Sequence, residues 1–70
     1  MFSYNKLWKL LIDKKMNKTD LREITGISQS TMAKLSKGEN VNTDVLDRIC
    51  HSLHCEIGDI VDVVNEEESK

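Results

Sequence analysis

A single residue, Ile27, stands between two signals that each fix a helix end: Gly26 closes one helix and Ser28 opens the next. Glycine supplies the left-handed backbone that a helix C-terminus adopts, and a serine hydroxyl accepts from a free amide of the following first turn. With no room for a loop, the second helix has to leave at a steep angle, and the Ile27 side chain is driven into the corner. The signals on either side agree. In "MNKTDLREITG" Asn17 is an N-cap, Asp20 sits three residues on, Met16 staples onto Leu21, and Leu21 and Ile24 are expected to face inward. In "SQSTMAKLSKG", residues 28 to 38, Met32 and Leu35 anchor a second short helix that Gly38 stops.

Two short helices joined at such a corner make a helix-turn-helix. The rest of the chain supplies helices to pack on it. Residues 5 to 15 place Leu7, Leu10 and Leu11 on one stripe, with Trp8 beside it and lysines opposite. After Asn42, a further N-cap, "TDVLDRICHSL" turns Val45 or Leu46, Ile49, Cys50 and Leu53 inward. Residues 56 to 64 read as a last short helix or an extended segment; their β-branched residues allow residues 60–64 to pair with residues 1–4. The expectation is one all-α domain over residues 1–64, of four to five short helices with this small terminal pairing, followed by an acidic disordered tail at 65–70.

Seventy residues with no proline and three glycines suit such a fold. A chain of this size buries only about 60% of its unfolded surface. It contains no apolar run long enough to span a membrane, and its N-terminal stretch lacks the features of a secretory signal, so a cytoplasmic location is expected. The net charge of −2 conceals a division. Through Gly38 eight basic residues face three acidic ones, a net +5; from Glu39 onward two basic residues face nine acidic ones, a net −7. Such a split gives one part of the surface an affinity for phosphates and the other a repulsion.

The polar face of residues 28–36 is unusual because it is almost uncharged. A helix in the major groove of double-stranded DNA has to offer donors and acceptors to base edges without negative charge. Gln29, Ser30, Thr31 and Lys34 meet that need and are the candidate base readers: glutamine pairs with adenine through two hydrogen bonds, lysine donates to guanine, and threonine touches the thymine methyl. Lys18 and Thr19, at the first positions of the preceding helix, bring free amides and the positive dipole end to a phosphate. Lys37 and Asn40 grip the backbone on the other side, and Ser28 joins these backbone contacts.

The run "KTDLREITGISQSTMAKLSKGENVNTDVLDRICHSLHCEIGDIV" resembles the Cro/repressor-type, or XRE-like, helix-turn-helix family of bacteria and phages, in its short stand-alone form. The ordered set that carries the resemblance is Leu21, the Gly26-Ile27-Ser28 turn, Met32, Leu35, Gly38, Leu46, Ile49, Leu53 and the "GDI" ending, within residues 5 to 62. It implies a lambda-repressor-like fold and a transcriptional regulator, a repressor, that binds specific DNA sequences. It matches Gln29, Ser30 and Lys34 to base-reading positions, and Lys18, Thr31, Lys37 and Asn40 to places that meet the backbone. Ser36 departs from the glutamate frequent there, which removes a carboxylate from the local ion pairs, and Ile57 departs from a proline.

One such reading head covers a few base pairs, so a homodimer is expected, its apolar surface formed by Ile57, Ile60, Val61, Val63 and Val64 with Phe2 and Tyr4. The alternative is a protein-binding module, an antitoxin or anti-repressor, working through the acidic C-terminal half. The lysines clustered around the polar helix weigh against it. "CHSLHC" contains four residues competent to bind zinc, but on a continuous helix they span about 140° of the circumference, and no metal site is expected. A Cys50–Cys55 disulfide is disfavoured by the same divergence and by a reducing compartment. No phosphate loop, activated nucleophile or carboxylate pair is present, so neither catalysis, nor a cofactor, nor a small-molecule ligand is expected.

Overall fold

A computed structural model describes residues 1–64; the expected acidic tail at 65–70 lies outside the described residues. The order is β1 (Phe2–Ser3), α1 (Asn5–Asp13), α2 (Lys18–Thr25), α3 (Gln29–Ser36), α4 (Thr43–Leu53), a 3-10 turn at Ile57–Asp59, and β2 (Asp62–Val63). β1 and β2 pair antiparallel, Phe2 opposite Val63 and Ser3 opposite Asp62. Both conformations expected of residues 56 to 64 are therefore used, the helical one first.

Local signals account for the ends. Asn17 accepts the Asp20 amide at 2.8 Å while the Asp20 carboxylate accepts the Asn17 amide at 3.0 Å, a reciprocal box that satisfies two amides at the start of α2. Gly26 adopts φ 71, as its place between helices demands, and Ile27 is buried in the corner it creates. At the end of α1, Lys15 takes a left-handed φ of 58, and the Met16 amide donates to the Leu11 carbonyl at 2.9 Å. This closure folds the chain back over the last turn, so the helix stops at Asp13. α3 ends similarly through Gly38, with the Glu39 amide on the Lys34 carbonyl at 2.9 Å.

The core joins Leu7 and Leu11 of α1, Leu21 of α2, Ile27, Met32 and Leu35 of α3, and Leu46, Ile49 and Leu53 of α4, together with Tyr4 and Ile60. Four positions differ from the sequence expectation. Ile24 is 49% exposed; the inward stripe of α2 runs from Leu21 to Thr25, whose buried hydroxyl donates to the Leu21 carbonyl at 2.7 Å and so carries no unsatisfied group inside. Cys50 is half-buried beside the core. Tyr4, expected beside the dimer surface, is buried in the core with its hydroxyl on the Glu39 carbonyl, and Ile60, expected on that surface itself, is fully buried. The 3-10 turn reverses its exposure: Ile57 points out and Ile60 fills the core between α1 and α4, leaving it unavailable to a partner.

Candidate functional site

The polar face of α3 is open to solvent. Gln29, Ser30 and Lys34 are exposed and Thr31 is half-buried, while Met32 and Leu35 hold the opposite side of the helix in the core. The amides of Gln29 and Ser30 lie in the first turn, ahead of the Ser28 cap bond to the Thr31 amide at 3.2 Å. That cap belongs to a chain of three hydroxyls. Ser28 donates to the Thr31 hydroxyl at 2.9 Å and lies 3.1 Å from the Ser30 hydroxyl. With its one proton given to Thr31, the Ser28 oxygen accepts from Ser30. Ser30 then presents only lone pairs outward, and Thr31 keeps a proton to donate.

The start of α2 reaches the last residue of α3. Its capping box uses the Asp20 and Asn17 amides, leaving those of Lys18 and Thr19 in the free first turn of a positive helix end. The Lys18 ammonium sits 4.5 Å from the centroid of the Trp8 ring and donates to the Ser36 hydroxyl at 3.1 Å. One cation thus links α1, α2 and α3. Where a carboxylate at position 36 would neutralise this lysine, the serine leaves its charge intact. Among the described residues no salt bridge involves Lys18, Lys34 or Lys37, whereas Lys6 is engaged by Asp62 at 3.2 Å.

The loop after α3 is held from the far end of the chain. The Tyr4 hydroxyl donates to the Glu39 carbonyl at 2.9 Å, and burial raises the Tyr4 pKa above its ordinary 10.0. This bond fixes the segment that carries Lys37 and Asn40, both exposed. Sequence reasoning missed Tyr4, Trp8 and Ser36 as parts of the site. A lone tryptophan beside an apolar stripe, one helix away from a lysine, and a serine in place of the frequent glutamate at position 36 were the hints available. A separate apolar groove is lined by Phe2, Leu46, Cys50, Ile57, Val61 and Val63. Among the described residues no helix is long and apolar enough to cross a membrane.

The arrangement therefore offers an exposed polar helix face, uncompensated lysines and free helix-start amides together. The model of the Cro/C1-type helix-turn-helix DNA-binding domain matches residues 6–66. The chain is similar to the crystal structure of the transcriptional regulator VanUg, with 57% identity, a TM-score of 0.90, and coverage of 93% of this chain and 87% of that one. It is also similar to the uncharacterized HTH-type transcriptional regulator YozG of Bacillus subtilis (strain 168), 31% identical over 62 residues, which are 86% of this chain and 74% of that protein.

Proposed function

This chain belongs to the Cro/C1-type helix-turn-helix DNA-binding domain family, and from that premise we propose how it docks on DNA and which residues read the sequence. The protein binds DNA and regulates transcription. In our reading α3 enters the major groove as a repressor's recognition helix. Gln29 and Lys34 address base edges, Ser30 accepts from an exocyclic amine of adenine or cytosine, and Thr31 donates to a base acceptor or a phosphate. Lys18, with the Lys18 and Thr19 amides, holds one flanking phosphate; Lys37 and Asn40, steadied through Tyr4, hold the other, and Ser28 lies close enough to the backbone to assist.

The observation that carries this reading is the solvent-open Gln29-Ser30-Lys34 face of a helix whose last residue, Ser36, holds a lysine that no carboxylate among the described residues offsets. Selection of bound duplexes from a random pool at two salt concentrations tests it. A defined motif that persists at the higher salt is the expected result, and enrichment of no sequence at either salt refutes base reading.

Affinity from so small a head calls for two copies, spaced about 34 Å apart on a two-fold site. Ile57, Val63 and Val64 with Phe2, exposed at 51%, 75%, 39% and 42%, form the surface that a second copy would cover, with half-buried Val61 beside them. Sedimentation is expected to show a dimer that Ile57→Asp dissociates; a wild-type chain that stays monomeric on two-site DNA removes this interface. A regulator of this kind works where the chromosome is, in the cytoplasm.

A further inference from the structure

The end of α4 turns back without a glycine. His54 takes a left-handed conformation, φ 54 and ψ 50. Its amide donates to the His51 carbonyl at 3.4 Å, and the Cys55 amide donates to the Cys50 carbonyl at 3.0 Å. This closure characteristically lays the residue just past a helix over the one five positions before it. At α1 that pair is Leu11 and Met16; at α4 it is Cys50 and Cys55. A continuous helix would set the two cysteines on diverging faces, and the left-handed His54 is what cancels the divergence. Both cysteines are free and half-buried, and the backbone bond between them holds them as neighbours.

We propose that Cys50 and Cys55 are a redox-responsive dithiol that closes to an intramolecular disulfide on reaction with a low-molecular-weight disulfide, clamping the C-terminal turn of α4. Disulfides usually join residues whose Cα atoms are about 5.5–6 Å apart, and a backbone hydrogen bond between the same two residues keeps them in that neighbourhood. A groove lined by Asp47, Cys50, His51, His54, Cys55 and Asp59 opens the pair to solvent. One cysteine, as thiolate, attacks a sulfur of the small disulfide; a mixed disulfide forms and one small thiolate leaves with its electron pair and takes up a proton. The second cysteine, having lost its proton to water, attacks the first Sγ and expels the other small thiolate. Two protein thiols are oxidised by two electrons, and one small disulfide is reduced to two thiols.

The surroundings hold the resting thiols in their protonated, less reactive form. Burial pushes both thiols up, Asp59 adds to this at each of them, and Asp47 and Glu56 add to it at Cys50, while Lys14 pulls Cys55 the other way. Closure is accordingly slow and calls for an excess of the small disulfide. Its structural consequence falls on the next segment. The 3-10 turn that presents Ile57 begins two residues after Cys55, and Cys50 lines the same apolar groove as Ile57 and Val61. A clamp at this turn therefore sets the shape of that groove, whether or not the chain reads DNA as proposed.

The test uses the 70-residue chain under native conditions with oxidised glutathione, followed by intact mass and thiol labelling. The expected product has lost two hydrogen atoms, carries no glutathione, and has no labelled thiol; Cys50→Ser and Cys55→Ser each stop at the glutathione adduct. The oxidised wild type melts higher than the reduced one, and thiol reductant reverses both changes. The proposal is overturned if the wild type accumulates stable glutathione adducts, forms covalent dimers instead, or closes only in denaturant. These wild-type outcomes decide the matter even if a variant fails to fold.

Discussion

Replacing Lys18 by alanine separates the two ways in which this protein is proposed to hold DNA. The ammonium is exposed, lies over Trp8 and bonds only to a neutral hydroxyl, so its full charge is available to a phosphate. One phosphate contact contributes about 0.9 to the slope of log affinity against log salt. Between 50 and 200 mM salt the wild type should therefore lose about three to four times more affinity than Lys18→Ala does, on any duplex. The same substitution removes the contact with the Trp8 ring, worth about 0.5–1 kcal/mol at an exposed site, so denaturant unfolding has to be measured in parallel and all binding done far from the transition. Fluorescence anisotropy of a selected duplex and a scrambled one, over a salt series, reads both quantities. Equal weakening on the two duplexes with a flatter slope is expected. An unchanged slope would mean that Lys18 serves only to tie α1 to α3, and a loss confined to the selected duplex would make it a base reader; either result refutes the clamp.

Gln29→Ala should behave in the opposite manner, costing about 1–3 kcal/mol on the selected duplex with no change in slope and little loss on the scrambled one, in the same assay. Tyr4→Phe deletes the hydroxyl that holds the Glu39 carbonyl and should lower the melting temperature by about 4–8 °C for a loss of about 1 kcal/mol. Because the folded Tyr4 has a raised pKa, its contribution is fully present below pH 10 and fades as pH rises past that value; calorimetry should find this alkaline decline smaller in Tyr4→Phe. His54→Gly relieves a left-handed non-glycine residue at the expense of a more flexible unfolded chain, and should stabilise the protein by about 0.5–1 kcal/mol in urea unfolding.

The corner at Gly26-Ile27-Ser28, the caps at Asn17 and Ser28, and the stripe of Met32 and Leu35 were legible because each depends on residues within one or two helical turns. Backbone sterics and first-turn hydrogen bonds act at that range, and the amino acids that satisfy them are few. The exposed face of α3 followed from the same period, since fixing what a helix buries also fixes what it leaves outside. Tertiary structure decided what depends on distant partners. Thr25 displaced Ile24 from the core because its hydroxyl found a carbonyl to bond. Ile60 became core because the preceding 3-10 turn swung it between α1 and α4. The Tyr4 tether to Glu39 and the seat of Lys18 between Trp8 and Ser36 join residues far apart along the chain. Cys50 and Cys55 came together through one left-handed residue, His54, that no helix-forming preference would announce. Sequence alone thus determined where α2 and α3 begin and end and which faces they offer; packing determined which side chains on those faces meet, because such contacts exist only once remote segments share a core.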